Sequence, residues 1–406
     1  MDILYSISGF AIGFVLVILT IPPLIRVSIA KHLYDTPNER KVNKVVVPTL
    51  GGVSIFIGFL LSTIIATDSF DFNELKYLIA AITIMFFLGL KDDLTNVSAF
   101  RKLFVQLATS TMLIVLGNIR LTNLQGLLGL YELNYPVSFV ITSLAMIAVI
   151  NAFNLIDGID GLASGVSTLI SVIFGSWFLV AGHPEYGIMC FCLAGSLIAF
   201  FIFNVFGKKH KIFMGDTGSL ILGVIMIILV IKFDQFNINL HTPYAIHASL
   251  VVSIGILILP VIDTIRVIFI RISGKRSPFA PDMNHIHHKL LELGNSHLQS
   301  SLLIGFFNIL MIAITISLHR VLNINNLLIS ILTLGLVFAY IPGIILNYRK
   351  RTEIKHLIIQ SESAGENTSK RIKIIGEPYY KRSGKGLLHR RKKKTYPQKI
   401  FMNSIG

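Results

Sequence analysis

Apolar residues gather along the chain in eleven runs, at roughly 3–25, 50–67, 74–90, 103–118, 136–152, 164–181, 187–206, 217–232, 245–270, 300–319 and 325–346. Most approach the ~20 residues that a helix needs to cross a bilayer. Helices are the expected form, because lipid offers no partner to an exposed backbone N–H or C=O. The pattern predicts an all-α, polytopic integral membrane protein with about 11 transmembrane helices. The first run is long and has no basic segment before it, so it reads as a retained helix rather than a cleaved signal peptide.

The polar segments between the runs form two sets. Those that follow the odd-numbered runs, together with Arg266 near the end of the ninth run, hold 16 of the 20 Lys and Arg residues of 1–348. The positive-inside rule makes that set cytoplasmic. With eleven crossings, the N-terminus is then outside and the C-terminus cytoplasmic.

Composition sharpens this picture. The 406 residues are 53% hydrophobic and only 14% charged, with a mean hydropathy of +0.72. That excludes disordered, collagen-like and disulfide-scaffold classes and argues against a water-soluble globule. The formal net charge is nevertheless +15. Most of it lies in 349–406, with 16 Lys+Arg against 4 Asp+Glu. The expected organisation is a transmembrane catalytic domain over 1–348 and a basic cytoplasmic tail, largely disordered, over 349–406. The tail reads as solvated, as a patch for anionic lipid, or as a docking segment. Cys190 and Cys192 lie inside the seventh run and read as apolar packing residues rather than metal ligands.

Candidate chemistry concentrates in the cytoplasmic set. Asp92 and Asp93 end the third run. Adjacent carboxylates repel, and an oxygen-loving cation such as Mg²⁺ or Mn²⁺ relieves that cost, although a solvated pair fits the residues as well. Asn151, Asn154, Asp157 and Asp160 recur every three residues at the end of the fifth run, which keeps them near one helical face. Two Asp-Gly steps in this stretch allow a close backbone approach to a ligand. Asp216, with Thr217 and Ser219, opens the eighth run and can cap that helix, whose start also favours anions. His285, His287 and His288 follow the ninth run, with Arg271, Lys275 and Arg276 upstream. Phosphate suits this group better than zinc, which has no matching ligand spacing here. Asp35 and Arg40, followed by PTLGG at 48–52, mark the first cytoplasmic loop. Five loops on one face thus offer groups for a cation and for phosphates. A transporter would place its polar groups nearer the midplane.

These motifs resemble a known family, the bacterial polyprenyl-phosphate N-acetylhexosamine-1-phosphate transferases of the glycosyltransferase-4 type. The resemblance covers nearly all of 1–348 and rests on PTLGG at 48–52, KDDL at 91–94, NAFNLIDGIDGL at 151–162, FMGDTGSL at 213–220 and SPFAPDMNHIHH at 277–288. It implies attack of a polyprenyl phosphate on the sugar-bearing phosphorus of a UDP-N-acetylhexosamine, with UMP leaving and Mg²⁺ as cofactor. By motif, Asp92 and Asp93 look like the acidic pair of the active centre and Asp216 like the main metal carboxylate. Asn154, Asp157 and Asp160 look like the nucleotide and metal ladder. His285, His287 and His288 with Arg271 resemble the group that holds diphosphate and sugar. Asp35, Arg40 and Lys102 match residues of the same pocket, with Arg101 a rival to Lys102. The His-Ile-His-His order resembles the branch using UDP-GlcNAc or related sugars with undecaprenyl phosphate, rather than the pentapeptide translocase with three consecutive His. The implied setting is the bacterial cytoplasmic membrane, with membrane lipids as neighbours, a homodimer as a further expectation, and no nucleic acid.

Overall fold

The computed structural model describes residues 1–35, 47–68, 70–239, 244–277 and 283–363. The chain divides into two compact units, Met1–Gly343 and Ile344–Gly406. In the second unit, residues 344–363 are helical, and the rest of the tail lies outside the described residues.

Every apolar run carries helix. The helices are α1 (Asp2–Ala30), α2 (Gly51–Thr67), α3 (Leu75–Thr95), α4 (Ala99–Val115), α5 (Tyr135–Ile156), α6 (Leu162–Val180), α7 (Pro184–Phe201), α8 (Gly215–Phe236), α9 (Ser249–Ile256), α10 (Ile258–Ser273), α11 (Ile286–Glu292), α12 (His297–Leu318) and α13 (Ile324–Ser363). A π-helical turn, Ile202–Phe206, extends α7. Among the described residues, seven helices are long and apolar enough to cross a membrane, and the bent pair α9–α10 brings the number to eight. The protein is therefore an all-α, multi-pass membrane protein. The helix α2 has only 17 residues, α3 carries charged residues at both ends, and α4 carries them at its start.

The ninth run was expected as one helix. Instead α9 and α10 meet at 78°. Pro260 lies in the first turn of α10 and has no N–H to donate to the Ile256 carbonyl. The buried Asn308 of α12 donates to that carbonyl instead, at 3.3 Å. A proline and a substitute donor together hold the break.

Two small antiparallel pairs complete the fold. Tyr34–Asp35 (β1) pairs with Val47–Pro48 (β2), and Asn123–Leu127 (β3) pairs with Leu130–Glu132 (β4). Neither was expected from the apolar pattern.

The centre of the bundle is α8, whose most apolar window is 89% buried, against 22% for α1. It packs on α2, α3, α5, α6 and α9. At one end of α8, Lys232 meets Glu74 at 2.7 Å, and its ammonium lies over the rings of Tyr186 and Phe236. That contact pins the start of α3 and the start of α7 to the end of α8. The opposite end of α8, its N-terminus, carries the polar motifs.

Candidate active site

The N-terminus of α8 is seated by backbone contact. Gly51 and Gly52 donate their N–H groups to the carbonyls of Phe213 and Met214, at 2.9 and 2.8 Å, and Phe213 donates to Pro48. The PTLGG segment is thus paired with the Phe-Met-Gly that precedes α8. The approach requires glycine. A Cβ on Gly52 would lie 2.2 Å from the Gly218 nitrogen, and one on Gly89 of α3 would lie 2.4 Å from the Thr217 Cα.

Asp93 caps α8 from the end of α3. Its carboxylate accepts the N–H groups of Asp216 and Thr217, at 2.8 and 3.0 Å, and the Thr217 hydroxyl at 2.6 Å. A carboxylate is favoured at a helix N-terminus. Asp216 therefore does not supply the cap, as the sequence allowed. Its side chain instead accepts from Asn154 Nδ2 at 2.5 Å and from Lys102 Nζ at 3.2 Å. The same ammonium pairs with Asp92, which also accepts the Val97 N–H. Lys102, at the start of α4, so stands between two carboxylates, while Arg101 is exposed.

The Asn/Asp ladder is not a single helical face. Helix α5 ends at Ile156, so only Asn151 and Asn154 ride on it. Asn151 makes an amide pair with Gln106 of α4, at 2.9 Å, and Asn154 also donates to the Ser219 hydroxyl. Asp157 and Asp160 belong to the turn that follows. Burial first, and then the neighbouring carboxylates of Asp216, Asp93 and Asp160, push the Asp157 carboxyl up to about 8. Asp160 has two nitrogen partners: Lys211 Nζ at 2.6 Å and His297 Nδ1 at 3.0 Å. Burial raises its pKa, but these two partners outweigh burial and hold it below the ordinary carboxylate value. Asn204, in the π-helical turn, accepts the Gly161 N–H at 2.7 Å and donates to the Ile212 carbonyl at 2.9 Å. The Asp-Gly turn and the approach to α8 are fixed by one amide.

The histidines lie across that turn. A Cβ on Gly158 would meet His287 Nε2 at 2.2 Å, so the first Asp-Gly step lets the backbone lie flat on the His287 ring. His287 is buried, its Nε2 has no hydrogen-bond partner among the described residues, and burial followed by its histidine neighbours depresses its pKa far below the usual imidazole range. Its ring centroid is 5.6 Å from that of His285 and 4.2 Å from that of His288. His285 Nδ1 contacts Asp263 Oδ2 at 2.9 Å. Arg271 is buried in the last turn of α10.

The first loop contributes less. Asp35 lies in β1, paired with Val47 of the segment that leads into PTLGG. Arg40 and the stretch 278–282 lie outside the described residues. The sequence reading assigned no role to Asp263, Arg266, Gln106, Asn204, Lys211 or His297. Asp263 and Arg266 had a visible signal, since opposite charges three apart inside an apolar run are expensive unless paired. His297 had none, because it simply opens the next helix.

The arrangement concentrates anionic and amide oxygens at a helix N-terminus, with a lysine between two of them and a histidine cluster across one turn. That suits binding of a cation together with phosphates. Among the described residues, no three His, Cys, Asp or Glu side chains form a ready-made metal shell. Magnesium does not require one, because it is commonly held by one or two carboxylates with water and substrate phosphates.

Residues 75–234 match glycosyl transferase family 4. A Yersinia pestis protein, "Undecaprenyl-phosphate alpha-N-acetylglucosaminyl 1-phosphate transferase", is 30% identical over 282 residues, 69% of this chain and 75% of its own. The chain belongs to glycosyl transferase family 4. A protein of the same name from Escherichia coli K12 is 30% identical over 275 residues, 67% of this chain and 72% of its own. A Bacillus subtilis protein, "Probable undecaprenyl-phosphate N-acetylglucosaminyl 1-phosphate transferase", is 32% identical over 304 residues, 74% of this chain and 82% of its own. The family 4 match contains Asp92, Asp93, the Asn/Asp stretch and Asp216. PTLGG and the histidines lie outside the matched stretch, and the fold carries PTLGG onto α8 and His287 onto Gly158.

Proposed function

We propose that this chain transfers N-acetylglucosamine 1-phosphate from UDP-N-acetylglucosamine to undecaprenyl phosphate, releasing UMP and forming undecaprenyl-diphosphate N-acetylglucosamine. The observation that carries the reading is the convergence of Asp92, Asp93, Lys102, Asn154 and Asp216 on the N-terminus of α8. The names of the three relatives support the carrier lipid and the sugar, and none is a pentapeptide translocase.

Asp216 would hold Mg²⁺, with the Asn154 amide turned over so that its oxygen faces the ion in place of the Nδ2 that now donates to Asp216, and Mn²⁺ suits the same oxygen ligands. The ion would supply charge neutralisation on the diphosphate. Asp157 supports this assignment, because a carboxyl raised first by burial and then by three neighbouring carboxylates marks a site short of positive charge. Phosphoryl transfer needs positioning and electrostatics more than covalent help. Asp93 fixes the start of α8 and so the direction of Asp216. Lys102 neutralises Asp92 and Asp216 and lies within reach of an entering phosphate. Asp160 holds Lys211 and His297 against the Asp-Gly turn, placing that turn for the nucleotide. Arg271, His285, His287 and His288 would hold the diphosphate and the sugar. Asp35 and Arg40, by motif, would contribute to binding in the same pocket. The lipid phosphate is already anionic near neutral pH, which favours direct displacement.

The site faces the cytoplasm of a bacterial inner membrane in this reading, because the loops that carry it also hold most of the basic residues. The test is a transfer assay on purified protein in detergent, with Mg²⁺, undecaprenyl phosphate and a panel of sugar-labelled UDP-sugars. Lipid-linked label from UDP-N-acetylglucosamine above all others supports the reading. Product only from the UDP-muramoyl pentapeptide would overturn it.

A further inference from the structure

The segment Asn284-His285-Ile286 is held by a residue outside every motif above. Asp263, on α10, is 3% exposed and accepts three donors. Oδ2 takes His285 Nδ1 at 2.9 Å, and Oδ1 takes the Ile286 N–H at 3.0 Å and an Arg266 guanidinium nitrogen at 2.9 Å. The same guanidinium donates to the Asn284 carbonyl and lies over the Tyr340 ring, 5.7 Å from its centroid. His285 and Arg266 are each 4% exposed. Both ends of the short segment are thus tied to one turn of α10, and among the described residues this network makes no hydrogen bond to Asp216 or Lys102.

This geometry fixes a proton. Asp263 is an ionised acceptor already facing an N–H and a guanidinium, so the imidazole must donate to it through Nδ1. The ring nitrogen left for a substrate is then Nε2. An asparagine at 263 has one acceptor oxygen for three donors and turns an NH₂ toward at least one of them. The ring would lose its anchor or adopt the other tautomer, with Nδ1 accepting and the proton on Nε2. The same logic explains the cost of replacing the buried carboxylate behind a catalytic histidine elsewhere.

We propose that Asp263 is a positioning residue for the transfer reaction, acting through His285 by fixing its tautomer and ring orientation, with Arg266 completing the clamp. This rests on the reading that His285 faces the donor substrate. The experiment is a double-mutant cycle on the full chain: wild type, Asp263→Asn, His285→Ala and the double variant. Each is assayed for kcat and for KM toward UDP-N-acetylglucosamine with Mg²⁺ and undecaprenyl phosphate, and each is melted in detergent. The expected result is at least a tenfold loss of kcat in Asp263→Asn, less than a threefold change in KM, and less than a twofold further loss when Asp263→Asn is added to His285→Ala. A second variant, Asp263→Glu, keeps the charge but displaces the ring, and the same pattern is expected if Asp263→Asn fails to fold. Multiplicative losses in the cycle, or near-wild-type kcat in either Asp263 variant, overturn the positioning role. A wild type inactive with every UDP-sugar overturns the functional reading instead.

Discussion

At the residue scale the site consists of carboxylates with different partners, and the partners assign the work. Asp93 is fully engaged in capping α8, Asp160 is engaged with Lys211 and His297, and Asp216 is held by an amide and a lysine. Removing the Asp216 charge should therefore be the most damaging conservative change. Asp216→Asn should lower turnover by at least about 100-fold, the several kcal/mol that a metal-centred charge contributes, and should flatten the response to Mg²⁺. Titration of activity against Mg²⁺ in both proteins checks this, and near-normal turnover would contradict it. Asp157 has a carboxyl raised to about 8, so it keeps its proton below that pH and ionises above it. A cation held beside it by Asp216 would favour the ionised form, so apparent Mg²⁺ affinity should rise with pH through about 8 and level off beyond it. Asp157→Asn should remove most of that rise. Mg²⁺ titrations at three pH values test it, and identical slopes in the two proteins would sink the assignment.

At the element scale, the helical runs were legible because apolar run length is the strongest signal a membrane chain carries, although among the described residues seven helices, or eight with the bent pair, are long and apolar enough to span, against the eleven expected. Their ends and breaks were less so. The bend at Leu257 depends on Pro260, which was visible, and on Asn308, which was not linked to it by any sequence pattern. The ladder from Asn151 to Asp160 had the spacing of a helix, but α5 stops at Ile156, and the two aspartates work from the turn. The site motifs were readable as motifs, while the ties between them are contacts between residues far apart in the chain, such as Asp93 with Thr217 and Asp160 with His297. Seating of α8 is the element-level prediction. Gly89→Ala drives a Cβ into the Thr217 backbone and should cost roughly 1–3 kcal/mol, as overpacking does. It should lower the melting temperature and abolish transfer together. An active, equally stable Gly89→Ala protein would show that the close approach is dispensable.

At the scale of the whole molecule, the polar chemistry lies at one end of a bundle whose other end is closed by the Glu74–Lys232 contact. The distribution of Lys and Arg led to the expectation that this polar end faces the cytoplasm. Sidedness is open to direct labelling. Cys190 and Cys192 are buried and should not react, so a single Lys209→Cys variant should be modified by an impermeant maleimide only after the cytoplasmic face is opened. Labelling in intact cells would invert the topology. The +15 charge is concentrated in the tail, where no catalytic motif falls, so a chain ending at Tyr348 should retain transfer activity within about threefold.

The central claim is the reaction itself. The most direct measurement is release of UMP and formation of lipid-linked sugar by purified protein given UDP-N-acetylglucosamine, undecaprenyl phosphate and Mg²⁺. The account predicts equal amounts of both products, dependent on the divalent cation and lost in Asp216→Asn. Lipid-linked product formed equally well without a divalent cation, or no product from any UDP-sugar, would contradict it.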